Sequence, residues 1–414
     1  MARRTRSFWR HSTGKERLHE YRGVKNGCGD IWNADLHLRC AGSGSANTVA
    51  SQLAAGGHRT LLCRKSKSIS DPICADLVDR LEVCSPGEYE ICIQEQIAPE
   101  KIVVSGVNKT YESMKRILSY SKGAGIYTIE SEEHAKILRT LAEKNQMPLS
   151  VLIRLSSGNQ FGVDAETFLR LAKEIQESPY LTLAGVHYYA GTQKRQSKLE
   201  KELDTLTAFA KTFEEETGTV LNELEYGAGM KVSYFINDSE KDQRESEPEP
   251  QIQALAEKLR TCAYGKKTIE LGRFLVSMSG YYLTRVMDVK RTAQPGFLIL
   301  DGGIHQINYY GWMMGMKQPE IEVLAEKDGD EELFHLCGSL CTVNDVLARD
   351  VALHDPQKGD VICFKRCGAY AATEGMAMFL SRELPQVLIC KTDGKIEKLR
   401  DQMETYLFHV SATT

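Results

Sequence analysis

Cys341 and Asp345 stand four residues apart in Gly338-Ser339-Leu340-Cys341-Thr342-Val343-Asn344-Asp345, and Gly368-Ala369-Tyr370 follows about 25 residues later. Taken alone, the thiol is the buried, inert group that most free cysteines are. Upstream, Gly227-Ala228-Gly229 closes a strand-like run. Small residues there let backbone N–H groups come close to a phosphate, and a plain turn is the alternative. Glu270-Leu271-Gly272-Arg273 ends another strand-like run with opposite charges, as part of a binding site or as a surface ion pair. His187-Tyr188-Tyr189-Ala190-Gly191-Thr192-Gln193 and Glu82-Val83-Cys84-Ser85-Pro86-Gly87-Glu88 complete the set.

The elements that must position these groups repeat. Short apolar strands end at 82–85, 103–106, 126–129, 151–154, 184–189, 224–227 and 268–271, which makes seven β/α units. Between them, Glu133–Lys144 and Ala165–Glu177 carry apolar residues at helical spacing. Alternation of this kind implies parallel strands covered by helices, and seven units are one short of a (β/α)8 barrel. The acidic stretch 237–250 reads as a solvated loop. After about residue 274 the pattern changes to strands without regular helices: a long run over 275–290, then 297–300, 361–364 and 387–390. Three regions result: 1–70, an α/β barrel over 71–274, and a β domain over 275–414.

At 414 residues with 42 % apolar and 26 % charged residues, the chain reads as a two-domain soluble protein. No apolar run approaches the roughly 20 residues that span a bilayer. Twelve cysteines form no CxxC pair, and Cys337/Cys341 and Cys363/Cys367 are CxxxC pairs on strand-like segments with no pair of histidines at zinc-ligand spacing beside them. That argues against a metal and for reduced thiols in a cytoplasm. Residues 1–68 hold 13 Lys and Arg against 4 Asp and Glu, a net +9, so the rest carries −13 of the overall −4. Neither a nucleic-acid tail nor a targeting peptide is the reading favoured for that basic stretch.

From about residue 75 to 400 these motifs resemble the ornithine/diaminopimelate/arginine decarboxylase family of fold-type III enzymes. The resemblance implies a pyridoxal 5'-phosphate (PLP) (β/α)8 barrel, alanine racemase-like, with a C-terminal all-β domain. PLP needs a lysine for its aldehyde, donors for its phosphate and a group at its ring nitrogen. The family would have Gly227, Ala228 and Gly229 in the phosphate loop, with Ala228 in the middle position. It would have Glu270 at the pyridine nitrogen, Gly272 and Arg273 completing an EPGR-like turn with Leu271 for proline, and Tyr370 on the phosphate. Tyr189 takes the place of a histidine that stacks on the ring. Cys341 would protonate the carbon that loses CO2, reaching the site from a partner subunit, which implies a homodimer. Asp345 would meet the substrate amine. Thr342 stands where the family carries an acidic residue that meets the substrate's distal end, so neither ornithine nor diaminopimelate is expected to be the best substrate.

Two landmarks of the family, an entry strand and the lysine motif YAVKAN, are missing from residues 1–70. Both return when the chain is read one base later. With suitable synonymous codons, Trp32–Ala41 becomes GMPIYIYDA and Leu62–Ile69 becomes YAVKANP. The expectation is a frameshift across roughly residues 1–70 that corrupts the first barrel strand. Lys65 is then the best stand-in for the cofactor lysine, with Lys67 second, and the alternative is that both are ordinary surface lysines. Three other functions stay open: a siderophore-pathway decarboxylase of a conjugated amino acid, a racemase using Tyr188, Tyr189 or Tyr370 as second base, and a catalytically dead homologue.

Overall fold

The computed structural model describes residues 35–39 (backbone only), 57–63, 78–309, 315–325, 327–390 and 395–411. Eight parallel strands close into a barrel: β2 (Arg59–Cys63), β3 (Arg80–Val83), β4 (Ile102–Val104), β5 (Ile126–Ile129), β6 (Leu149–Arg154), β7 (Leu181–Tyr189), β8 (Glu223–Gly227) and β9 (Lys266–Glu270). Seven of them lie where the sequence places strand ends. The eighth is β2, formed by the sequence as it stands, and it closes the ring by pairing Leu61 with both Arg80 and Glu270.

Four helices of the outer ring start where a side chain satisfies one of their first N–H groups. Ser85, Thr110, Ser131 and Asp164 each cap a helix of the barrel's outer ring, Thr110 with a reciprocal bond to Ser113. Strand residues alternate between two environments. Val186, Leu224, Tyr226 and Ile269 point outward and pack with helix residues such as Phe168, Leu203 and Phe213 in the main apolar cluster. Inside, Leu61, Val103, Ile126 and Leu152 form a small separate plug, and most other inward positions are charged or polar.

The stretch 237–250 is not one loop. Ser239 accepts the Asp242 N–H and starts α6 (Glu240–Glu245), and Pro248, with no N–H to lose, starts α7 (Pro248–Arg260). Likewise 275–290 is not one strand: a short helix, α8 (Gly272–Val276), and a tight turn precede β10 (Gly280–Lys290).

The remaining strands form a nine-stranded sheet: β1 (Asp35–Arg39), β10, β11 (Gly296–Leu300), β12 (Ile321–Val323), β13 (Glu331–Cys337), β14 (Val346–His354), β15 (Val361–Lys365), β16 (Gln386–Cys390) and β17 (Ile396–Arg400). The strand from the N-terminal region, β1, lies between β10, antiparallel, and β16, parallel. The core of this sheet is Tyr282, Leu298, Phe334, Leu336, Ile362, Phe364 and their neighbours. Among the described residues no helix is long and apolar enough to cross a membrane.

Candidate active site

Most of the expected side chains gather at the C-terminal ends of the barrel strands, the end where barrels of this kind keep their chemistry. His187 on β7 and Glu270 on β9 point inward and are both buried, and the imidazole Nε2–H donates to Glu270 Oε1 at 2.7 Å. Glu82 on β3 joins them: one ligand atom from each of the three lies within 4.8 Å of the others. A small cation or a protonated ring nitrogen fits such a cluster. Glu225, one layer deeper on β8, is fully buried. Its carboxyl is pushed well above the usual range by burial and then by the Glu270 charge, while Arg80 pulls the other way.

Gly227 lets the neighbouring strands meet. A Cβ there would collide with the Tyr189 ring and lie 3.0 Å from Glu270 Oε2, so Tyr189 and Glu270 both pack around Gly227. Gly229 has φ +57°, a left-handed conformation, and a Cβ on it would strike the Gly191 carbonyl. Ala228 between them is fully buried in the barrel's outer core. Tyr188, of opposite parity to Tyr189, turns outward and stacks on Tyr226 with ring centroids 6.5 Å apart.

Gly272 opens α8, and Arg273 follows it. The Arg273 guanidinium lies 4.5 Å from the Tyr370 ring centroid, and its Nη1 donates to the Tyr234 hydroxyl at 2.9 Å. Tyr370 is itself held at φ +62°, with its carbonyl accepting the Thr373 and Glu374 N–H groups. The barrel and the sheet domain meet at this pair, and the Gly368 N–H bonds to the Ser277 carbonyl beside it.

The remaining expected residues sit on the sheet domain. Cys341 is exposed at the turn between β13 and β14, Thr342 is half-buried, and Val343 beside them is 90 % exposed. Asp345 is buried, and its two oxygens accept the Ile304 N–H at 2.9 Å and the Leu340 N–H at 2.7 Å. Burial raises its carboxyl against the pull of those two bonds. Lys65 and Lys67 lie outside the described residues; Lys65 follows the C-terminal end of β2 by two positions.

Sequence reasoning missed three groups at this mouth. Lys109, just past β4, is buried, with Nζ 2.6 Å from the Gly106 carbonyl, 3.2 Å from Thr128 Oγ1 and 4.0 Å from Glu130 Oε1. Burial pulls it down to about 8 despite Glu130. Arg154 on β6 donates to Glu130 Oε2 at 2.9 Å and lies 6.0 Å from the Tyr189 ring centroid. Lys194 lies under the glycine turn. The available signal was positional: each follows or ends a barrel strand.

The residues present suit PLP. A turn built on Gly227 and Gly229 suits a phosphate, as does the Arg273–Tyr370 pair, the buried Glu270 suits a protonated pyridine nitrogen, and the flat ring of Tyr189 packs against Gly227.

Comparison with known proteins agrees. The sequence model described as "Pyridoxal-dependent decarboxylase, C-terminal sheet domain" matches residues 102–368. The chain is 26 % identical over 345 residues to the L-glutamyl-[BtrI acyl-carrier protein] decarboxylase of Niallia circulans, covering 77 % of this chain and 79 % of that one. It is 25 % identical over 364 residues to the 2-[(L-alanin-3-ylcarbamoyl)methyl]-2-hydroxybutanedioate decarboxylase of Staphylococcus aureus, covering 80 % and 86 %. In fold it resembles the diaminopimelate decarboxylase of Helicobacter pylori crystallised with L-lysine, with a TM-score of 0.76 at 19 % identity over 92 % of this chain and 97 % of that one.

Proposed function

The chain belongs to the pyridoxal-dependent decarboxylase family, and from that premise we propose that it removes CO2 from an amino acid or an amino-acid conjugate, in the manner of a diaminopimelate decarboxylase. The observation that carries the reading is the buried Glu270 carboxylate, bonded to His187 and packed, like Tyr189, around Gly227. PLP, when bound, supplies the electron sink that stabilises the carbon losing CO2. The protein supplies the rest. Glu270 keeps a proton on the ring nitrogen, and His187 holds the Glu270 carboxylate in place. The Gly227–Gly229 turn, Gly272, Arg273 and Tyr370 would hold the phosphate, and Tyr189 would offer its flat ring to the cofactor.

Cys341 delivers the proton that replaces CO2. It does so from a second copy of the chain, so the working unit is a homodimer with shared sites. The exposed apolar residues Val343, Met376, Phe379 and Leu380 support an interface on this side of the sheet domain. Asp345 braces the turn that carries Cys341, because both its oxygens are engaged by that turn and its neighbour. Thr342 offers no charge to the far end of the substrate, and the Niallia and Staphylococcus relatives are named for amino acids joined to a larger group. A conjugated amino acid is therefore the favoured substrate class. The site calls for no nucleic acid or membrane, and the setting is cytoplasmic.

With a frame-corrected protein, a visible absorption band on adding PLP that bleaches with borohydride, together with CO2 release from a panel of free and conjugated amino acids, is the expected result. Loss of optical rotation without CO2 would make the protein a racemase, and neither signal would make it a dead homologue. A clear preference for diaminopimelate would overturn the reading of Thr342. Mixing Cys341→Ala with Glu270→Gln protein should raise activity well above that of either alone, and its failure would remove the shared-site dimer.

The reading of residues 1–70 as out of frame is part of this proposal. It makes Lys65, or Lys67 after it, the stand-in for the cofactor lysine, and it allows that the chain as written is inactive. Sequencing the DNA around codons 1–75 should show a single-base change that restores YAVKAN, and a clean reading frame there ends the idea.

A further inference from the structure

Lys194 is a buried cation for which the proposed reaction has no use. It follows the His187–Gln193 segment, precedes α5 (Gln196–Thr217), and is 4 % exposed. Its Nζ donates to Glu202 Oε2 at 2.7 Å and to the Gly227 carbonyl at 2.9 Å. The ammonium stands 5.1 Å from the Tyr226 ring centroid and 5.9 Å from that of Tyr189. Glu202 Oε2 also accepts the Tyr226 hydroxyl at 2.7 Å. At the other end of the same residue, the Lys194 backbone N–H donates to the Gly229 carbonyl at 2.9 Å. One residue thus holds both ends of the Gly227-Ala228-Gly229 turn.

Stability does not explain this arrangement. Burial lowers the Lys194 ammonium from its ordinary range, and Glu202 only opposes that pull. A buried ion pair replaced by apolar groups of similar volume is often neutral or stabilising. The pair is better accounted for by what it fixes. Gly229 sits in a left-handed conformation, with the Lys194 Cε 2.8 Å from where a Cβ would be, so the lysine stem fills the space beneath the turn. The turn is held in one shape before any ligand arrives, and donors set in advance are worth more to an anion than donors that must reorganise.

We propose that Lys194 is a positioning residue for a phosphate at the Gly227–Gly229 turn, its ammonium pinning one carbonyl of the turn and its backbone N–H the other. The inference rests on the cofactor reading given above. Three variants of the full chain test it: Lys194→Met, Lys194→Arg, and the double Lys194→Met/Glu202→Gln, which leaves no uncompensated buried carboxylate. Binding of PLP, of pyridoxal (the same ring without the phosphate) and of inorganic phosphate is measured by calorimetry.

Both Met variants should bind PLP and inorganic phosphate about tenfold more weakly, because the turn's donors are no longer set in advance, while pyridoxal binding moves by less than about twofold. Lys194→Arg should recover part of the loss, since it keeps the donor and the charge. A purely structural role predicts equal losses on PLP and pyridoxal with no recovery in the arginine variant, and that result overturns the inference. Unchanged phosphate binding in the double variant overturns it too. If the unaltered chain binds PLP and Lys194→Met binds it equally well, only this inference falls. If the unaltered chain binds neither PLP nor phosphate, the cofactor reading falls first and takes this one with it.

Discussion

Inside the barrel, Arg80, Glu82, Lys109, Glu130, Arg154, His187, Glu223, Glu225 and Glu270 are all buried. Inside the sheet domain the buried set is mainly apolar, with Tyr282, Val286, Leu298, Leu300, Phe334, Leu336, Leu347, Ile362, Phe364 and Val387 at its centre and polar exceptions such as Thr284, His305, Gln306 and Asp345. The two interiors do different jobs. The sheet domain is held by packing, so its inner residues are interchangeable in chemistry and constrained in shape. The barrel draws its apolar stability from its outer face, where strands meet helices, and this frees its lumen to hold charges at fixed places. Those charges are costly to bury and persist as a network: Arg80 with Glu223 and Glu225, and Arg154 with Glu130.

The comparison breaks most sharply at Phe334, which is fully buried against Gly296 in the sheet core. Phe334→Ala should cost about 4 kcal/mol of unfolding free energy in urea, and a loss below about 1 kcal/mol would mean the sheet is not held by packing.

Next comes Lys109, whose proton leaves the folded chain at a pH of about 8, against 10.5 for an ordinary lysine. Between those values the unfolded chain binds more protons, so stability from this group rises with pH through the window and is lost as pH falls toward its lower end. The rise amounts to about 3 kcal/mol. Subtracting the urea stability of Lys109→Met from that of the unaltered chain at both ends of the window isolates it. A flat difference would show that the lumen bears its charges without strain.

Cys341 sharpens the comparison from the other side, being a residue of the sheet domain placed for chemistry. Cys341→Ala should lower turnover roughly 10²-fold, as loss of a general acid does. It should leave stability within about 0.5 kcal/mol, because the side chain is exposed. An equal loss in both measurements would make Cys341 structural.

Much of the barrel could be read from the chain because its period is strict. Strands such as Ile126–Ile129 and Leu149–Arg154 are short apolar runs, and their helices begin at Ser or Asp caps. The strand Arg59–Cys63 was missed because its residues, Arg-Thr-Leu-Leu-Cys, carry no alternation to set them apart from the basic run around them. In the sheet domain, Glu331–Cys337 and Val346–His354 escaped notice because charges interrupt their outward faces. Tyr189, Glu270, Arg273 and Tyr370 were legible through motif and order. Lys109, Arg154 and Lys194 were not, since a lone basic residue in sequence looks the same exposed or buried. Only the barrel's curvature turns these three inward.

The placement of β1 bears on how the chain is made. This strand sits in the middle of the C-terminal sheet, with β10 on one side and β16, roughly 350 residues further along the chain, on the other. On a ribosome its first neighbour, β10, emerges only after all the barrel strands, and β16 about a hundred residues later still, and closing such long loops is intrinsically slow. A nascent molecule would therefore assemble its barrel first and its sheet last. A lesion within residues 1–70 would then be felt late in assembly, as a gap in a sheet whose other strands all lie beyond residue 279.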